Sequence, residues 1–238
     1  MIKVGIIGAA GYTAGELIRL LVHHPHAQII FAHSTSNAGK PFHAVHEGLI
    51  GDTEQCFSDT YDLNAIDVLF LCSGHGKSSA FWAENECPEG LRIIDLAQDY
   101  RDEHDGYVYG LPEWQRDKIT QATKIANPGC FATCIQLALL PMMGKTQQAN
   151  VTAITGATGA GQKPTATTHF AWRNDNISVY KAFTHQHLIE IGRNTGIQVD
   201  FVPMRGDFSR GIFAAVTMPF DGTAEEAHAL YSAYYQDA

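Results

Sequence analysis

The sequence predicts an α/β chain, with a doubly wound parallel sheet followed by an α+β domain. Three observations point there. Apolar strand patterns alternate with amphipathic helix patterns through the first half. A glycine-rich turn closes the first strand, and near residue 148 the pattern shifts to longer strands around a second Gly-rich stretch. Apolar strands alternating with helices mean a parallel sheet covered on both faces. The change of character sets the domains at residues 1–147 and 148–238.

The elements follow in order. "IKVGII" (2–7) reads as a buried strand and "AGELIRLLVHH" (14–24) as an amphipathic helix. "AQIIFAHST" (27–35), "DVLFLCS" (67–73) and "LRIIDLA" (91–97) are three more strands, with a helix candidate "KSSAFWAENE" (77–86) before the last. "KIAN" (124–127) is short and extended, and a helix is expected from Gly129 to Met143. Beyond "VTAITGATGAG" (151–161) come a helix pattern "HQHLIEIGRN" (185–194) and strands "QVDFVPM" (198–204) and "GIFAAVTMPF" (211–220). A last helix, "AEEAHALYSAYYQ" (224–236), reaches almost to the end of the chain.

Composition narrows the function. The chain has 238 residues, 45% of them hydrophobic, and no run near the ~20 apolar residues of a membrane span. "MIKVGIIG" lacks signal-peptide anatomy, so a soluble, cytoplasmic protein is expected. The net charge of −9, with no basic stripe, argues against nucleic-acid binding. Anionic ligands must therefore be held by a few placed cations and backbone N–H groups. Five cysteines (Cys56, Cys72, Cys87, Cys130, Cys134) are an odd count without metal-knuckle spacing, which fits a reduced compartment and no metal site.

The first strand ends in "GAAGYTAGE". Gly8 and Gly11 let the backbone approach a pyrophosphate, and the helix that starts at Tyr12, Thr13 and Ala14 offers N–H groups to it. This is the Rossmann-type arrangement, though Gly8-x-x-Gly11-x-x-Ala14 is looser than the usual fingerprint. NAD enzymes of this fold place an acid at the end of the second strand. Here Ser34, Thr35 and Ser36 stand there with Lys40 nearby, a set suited to a 2′-phosphate, so NADP is expected.

"NPGCFATC" puts Cys130 at a helix start behind Pro128 and Gly129. A helix N-terminus favours the thiolate, and the N–H groups there stabilise an oxyanion. Beside a nicotinamide, such a thiol implies acyl transfer to sulfur, then reduction of the thioester to an aldehyde. A general acid/base is required, and "FTHQHLIEIG" offers His185 and His187. If a helix starts there, His187 and Glu190 share one face and the carboxylate orients the imidazole. Cys134, one turn after Cys130, reads as a packing residue.

"GAAGYTAGE", "DLAQDYR" (95–101), "YGLPE" (109–113), "NPGCFAT" (127–133), "TGATGAG" (155–161), "HQHLIEI" (185–191) and "RGDFSRGI" (205–212) stand in the order found in the N-acetyl-gamma-glutamyl-phosphate reductase family, which the whole chain resembles. The resemblance implies NADPH-dependent reduction of N-acetyl-glutamyl 5-phosphate to the semialdehyde in arginine biosynthesis. It also implies inorganic phosphate as the co-product and a homo-oligomeric enzyme. It implies Cys130 as nucleophile, His187 as general acid/base with His185 as the second candidate, and Arg101 on the substrate phosphate. It places "TGATGAG", with Gly156 and Gly159, on the substrate side. It places "CSGHG", with Ser73 and His75, near the nicotinamide ribose. Arg210 is a candidate for the substrate carboxylate or for a surface ion pair. Ala97 stands where the family usually has Ser, and Ser209 where it often has Pro. Family members continue past the point where this sequence stops, so the second domain is expected to be incomplete at its C-terminus. Two rival readings are an aspartate-semialdehyde dehydrogenase-like enzyme, which usually has Asn at the position of Gly129, and a non-catalytic nucleotide-binding fragment.

Overall fold

The computed structural model describes residues 1–236, so positions 237 and 238 of the expected second domain lie outside the described residues. Two compact units emerge. The first comprises Met1–Gly110 and Asp117–Pro128; the second takes Leu111–Arg116 and the chain from Gly129 onward.

The first unit contains a six-stranded sheet of β1 (Ile2–Ile7), β2 (Ala27–His33), β3 (Val68–Leu71), β4 (Arg92–Asp95), β5 (Val108–Tyr109) and β6 (Lys124–Ala126) in the order β2-β1-β3-β4-β6-β5. Every pairing is parallel. The order reverses at β1, which pairs β2 on one side and β3 on the other. A ligand crevice opens at such a point, beyond the carboxyl ends of the strands. Side chains of β1 alternate between two apolar clusters. Val4 and Ile6 pack with Ala14 and Ile18 of α1 (Tyr12–Leu21), while Ile7 joins Leu71 and Ile93 in the other cluster. The helix α2 (Lys77–Glu84) follows β3 and contributes Phe81 and Trp82 to that second cluster. This is the doubly wound sheet that the alternating pattern predicts.

A helix absent from the sequence reading, α3 (Pro112–Gln121), starts with proline at a first-turn position. Its residues are mostly polar and only Gln115 is buried, so no apolar period announces it.

In the second unit, α4 (Cys130–Leu139) buries Phe131, Ala132, Ile135, Gln136 and Leu139, a continuous stripe at helical spacing. It ends at Leu139 and tightens into a 3₁₀ turn over Leu140–Met142, short of the expected Met143. Pro141 has no N–H to return to the Leu137 carbonyl. The Tyr235 hydroxyl, just past α7 (Ala224–Tyr234), donates to that carbonyl instead.

The unit's sheet has the order β10-β7-β9-β8, from β7 (Gln148–Thr155), β8 (Ser178–Val179), β9 (Gln198–Arg205) and β10 (Ile212–Thr217). β7 and β9 are parallel, and the two outer pairs antiparallel. Strict alternation on β7 sends Ala149, Val151 and Ala153 into a core with Phe131, Ile135, Ile191 and Phe201. A short helix, α5 (Phe170–Arg173), precedes β8, and α6 (His187–Thr195) precedes β9. Buried Asn194 of α6 donates from Nδ2 to Oε1 of buried Gln136 at 2.9 Å, and Gln136 Nε2 donates to the Ala132 carbonyl at 3.0 Å. That polar link joins α4 to α6 inside an otherwise apolar contact. Among the described residues, no helix is long and apolar enough to cross a membrane.

Candidate active site

Within the second unit, the N-terminal ends of α4 and α6 meet. Gly129 is the N-cap of α4, in an extended conformation and with no side-chain cap bond, and no acid lies in the first turn. The first N–H groups of a helix have no acceptor inside it, so this turn presents donors and partial positive charge. Cys130, the first residue, is exposed.

The other cysteines are less suited to attack. Burial and the nearby Asp95 push the Cys72 thiol up to about 12. Cys134 is half-buried and its thiol is also raised, by burial first and then by Cys130. The nucleophile is the thiolate, so both are poor candidates.

Gly129 shows why glycine precedes the cysteine. A Cβ there would fall 2.5 Å from Cε1 of His187 and 2.7 Å from Oε1 of Glu190. The imidazole therefore fills the space of the missing side chain, one residue before Cys130. The Gly129 N–H donates to Glu190 Oε2 at 3.2 Å, and Glu190 Oε1 lies 3.9 Å from His187 Nε2. One carboxylate thus bonds the turn before the cysteine and lies beside the ring. α6 begins at His187, so the spacing of three residues works as the sequence suggests.

His185 lies just before α6 and is equally buried, at 5% exposure for each ring-bearing residue. Its Nδ1 accepts the His187 backbone N–H at 3.2 Å, which leaves the proton on Nε2. Burial, then Lys181 and Arg205, lower its pKa to about 4, so the ring is neutral at pH 7.

Two residues here were not legible in the sequence. Tyr180 follows the two-residue strand β8, and Arg205 ends β9 with its guanidinium carbon 4.4 Å from the Tyr180 ring centroid. The Tyr180 phenol is raised by burial, lowered by Arg205 and raised again by Cys130, which ties all three to one neighbourhood.

Gly156 and Arg210 meet through backbone. A Cβ at Gly156 would lie 2.6 Å from the Arg210 Cα, and Ala157 and Thr158 donate to the carbonyls of Phe208 and Ser209. The "TGATGAG" loop is thereby zipped to "RGDFSRG", while the Arg210 side chain is exposed. Gly159 packs against Thr155 Oγ1 at 3.1 Å from its virtual Cβ.

In the first unit, Gly8 takes a left-handed conformation at φ 77°, and a Cβ on it would meet Ser73 at 2.7 Å. The glycine turn and the "CSGHG" loop thus close together at the carboxyl ends of β1 and β3. Gly11 is the N-cap of α1, without a side-chain cap, and Tyr12 and Thr13 are exposed above buried Ala14. By contrast, the N-terminus of α2 is already filled: Asp99 accepts from the N–H groups of Gly76 (2.7 Å), Ser78 (3.1 Å) and Ser79 (3.2 Å). Only the first of these helix starts is open to a phosphate. His75 Nδ1 accepts the Gln98 N–H at 3.1 Å.

Beyond β2, Ser34 is buried, Thr35 and Ser36 are exposed, and Lys40 Nζ donates to Asn37 Oδ1 at 3.2 Å. These residues and the open start of α1 suit a dinucleotide. Arg101 is buried, with Nε on the Asn127 carbonyl (2.9 Å) and Nη2 on the Leu96 carbonyl (3.3 Å). It therefore pins the strand end that leads to Gly129.

Comparison with known proteins gives a two-part division of the chain as well. Residues 3–122 match the family model described as semialdehyde dehydrogenase, NAD binding domain, and residues 130–238 match semialdehyde dehydrogenase, dimerisation domain. N-acetyl-gamma-glutamyl-phosphate reductase of Azobacteroides pseudotrichonymphae is 54% identical over 100% of this chain and 77% of its own length. The enzyme of that name from Bacteroides thetaiotaomicron is 53% identical over 99% and 77%. In fold, the chain resembles aspartate semialdehyde dehydrogenase II from Vibrio cholerae, with a TM-score of 0.73 at 18% identity over 97% of this chain and 78% of that one. The Candida albicans aspartate semialdehyde dehydrogenase with NADP gives a TM-score of 0.71 at 16% identity, over 97% and 75%. With its cysteine helix and its histidine helix joined through Gly129, the chain belongs to the N-acetyl-gamma-glutamyl-phosphate reductases, within the semialdehyde dehydrogenase fold.

Proposed function

We propose that the chain reduces N-acetyl-glutamyl 5-phosphate to N-acetyl-glutamate 5-semialdehyde with NADPH, through a thioester on Cys130. The observation that carries this reading is the His187 ring lying against Gly129, next to an exposed cysteine at a helix start. The thiolate of Cys130 attacks the acyl carbon, the C–O bond to phosphate breaks and inorganic phosphate leaves. The first-turn N–H groups of α4 stabilise the oxyanion formed on the way. The nicotinamide, when bound in the first unit, supplies the hydride equivalent that brings the carbonyl to the aldehyde level. His187 gives a proton to the carbonyl oxygen as the thiohemiacetal forms and takes it back as the C–S bond breaks and the Cys130 thiolate leaves, and Glu190 stabilises the imidazolium. His185, neutral at pH 7, orients His187 through its backbone N–H.

Among the residues outside this core, Thr35, Ser36 and Lys40 select NADP over NAD, and Arg101 serves the substrate phosphate. The match to a dimerisation domain supports a homo-oligomer. The reverse reaction tests the reading: N-acetylglutamate semialdehyde, inorganic phosphate and NADP, followed by NADPH absorbance. Phosphate-dependent reduction that is absent in Cys130→Ser and absent with aspartate semialdehyde is expected. Equal turnover of aspartate semialdehyde would refute it.

A further inference from the structure

Among the described residues, Arg205 has no carboxylate paired with it, and it lies beside Tyr180 near Cys130. Alternation along β9 puts Phe201, Pro203 and Arg205 on one face of the sheet. Phe201 packs there on Phe131 at 5.0 Å and on His185 at 5.5 Å between ring centroids, so Arg205 faces the side that carries α4 and α6. Its Nε is buried with no hydrogen-bond partner, and among the described residues no carboxylate forms an ion pair with it. The Tyr180 ring lies 4.4 Å from the guanidinium carbon, and the Tyr180 side chain also hydrogen-bonds Arg205. A buried donor on a charged group is costly unless something completes it.

The backbone of this arginine is also held. Arg173, itself buried, donates from Nη1 to the Arg205 carbonyl at 2.5 Å and to Asn176 at 3.1 Å, and from Nη2 to Ser178 Oγ at 2.8 Å. Arg173 is thus committed to structure and keeps Arg205 in place. Arg210 is exposed on a loop whose backbone is fastened to Gly156. Lys181 is exposed and donates to Gln186 Oε1 at 3.1 Å.

We propose that Arg205 anchors the carboxylate that the substrate carries away from its reacting carbonyl, with the Tyr180 ring holding the guanidinium flat. The proposal rests on the reaction proposed above. A guanidinium grips a carboxylate through two parallel N–H groups, which gives orientation as well as affinity. It assigns to Arg205 the role that the sequence offered to Arg210.

The test compares N-acetylglutamate semialdehyde with 4-acetamidobutanal, the same aldehyde without the carboxylate, in wild type, Arg205→Lys and Arg205→Met. In Arg205→Met, kcat/KM for the carboxylated aldehyde should fall about 100-fold while that for the neutral one changes little, so discrimination between the two is lost. Arg205→Lys should recover part of it. A parallel fall for both aldehydes means that Arg205 only supports the fold and overturns the proposal, as does an unchanged ratio. A second readout needs no turnover: alkylation of Cys130 by iodoacetate relative to iodoacetamide, followed by peptide mass spectrometry, with exposed Cys56 and Cys87 as references. The ratio should drop about 10-fold at Cys130 in Arg205→Met and stay constant at the references. If wild type turned over neither aldehyde, the proposed reaction would fall, and the alkylation ratio would still decide for or against the anion site.

Discussion

The Gly129 N–H and the Glu190 carboxylate are hydrogen-bonded at 3.2 Å, 61 residues apart in sequence. This bond joins the turn before Cys130, the proposed nucleophile, to the helix that begins at His187, the proposed base. The same carboxylate lies 3.9 Å from His187 Nε2, so one side chain touches both the turn before Cys130 and the ring.

Two substitutions separate the parts of that link. Gly129→Ala places a methyl group where the His187 ring and Glu190 now lie. The neighbours are side chains, so the fold should survive while the ring is displaced, with kcat down by roughly 100-fold or more, the usual contribution of a general base. Glu190→Gln keeps an acceptor for the Gly129 N–H and removes the charge. It should lower kcat by about 10-fold with little loss of stability. Glu190→Ala leaves a buried N–H unpaired and should cost ~1–3 kcal/mol in urea unfolding as well. Equal stability of the Gln and Ala variants would show that the bond does not hold the turn.

The Gln136–Asn194 bond is expected to set the register of α4 against α6. Both side chains are buried, so Gln136→Leu alone leaves the Asn194 amide unsatisfied and should destabilise by ~1–3 kcal/mol. The double change to leucine should recover most of the stability yet leave turnover low, because apolar partners do not define a unique axial position. A double-mutant cycle on stability and on kcat checks both halves of the claim.

His185 gives the chain a pH dependence of known sign. Its folded pKa of about 4 lies below the ordinary imidazole value of 6.5. Between those two values the unfolded chain binds a proton that the folded chain does not. Stability from this residue is therefore complete above pH 6.5 and is lost as pH falls towards 4, by roughly 1–3 kcal/mol. Chemical unfolding at pH 7.5 and pH 5.0 should show this difference shrink in His185→Gln. NMR of the ring should find it neutral at pH 6, and a ring that titrates near 6.5 would refute the assignment.

Much of this was legible beforehand, for identifiable reasons. The parallel sheet announced itself because strands such as Val68–Leu71 are apolar on both faces. Gly8 and Gly129 were informative because each stands where a Cβ has no room. The His187–Glu190 pair followed from helical spacing alone. Other features left no local trace. α3 is polar with one buried residue, and β8 is two residues long. Arg205 is one of two arginines in "RGDFSRG", and only burial separates it from the exposed Arg210. The sequence sets a domain boundary at 148 because the periodicity changes there, whereas packing groups α4 with the later strands through Phe131 and Ile135. Contacts of that kind are long-range and do not show in a linear pattern.

Cofactor choice is expected to reside in the loop after β2. An acid at the end of that strand would hydrogen-bond the ribose hydroxyls of NAD and repel a 2′-phosphate. The loop has none: Ser36 is exposed, and Lys40 is kept close by its bond to Asn37. Ser36→Asp should therefore weaken NADPH binding by about 10-fold or more and affect NADH little, and Lys40→Ala should act in the same direction. The double variant should bring the two affinities together. Fluorescence titration with NADPH and NADH measures this without turnover. The open start of α1, which would receive the pyrophosphate common to both cofactors, serves as the control: Gly11→Asp puts an acid at its N-cap and should weaken both nucleotides alike. A Ser36→Asp variant that lost NADPH and NADH equally would move the source of selectivity away from this loop.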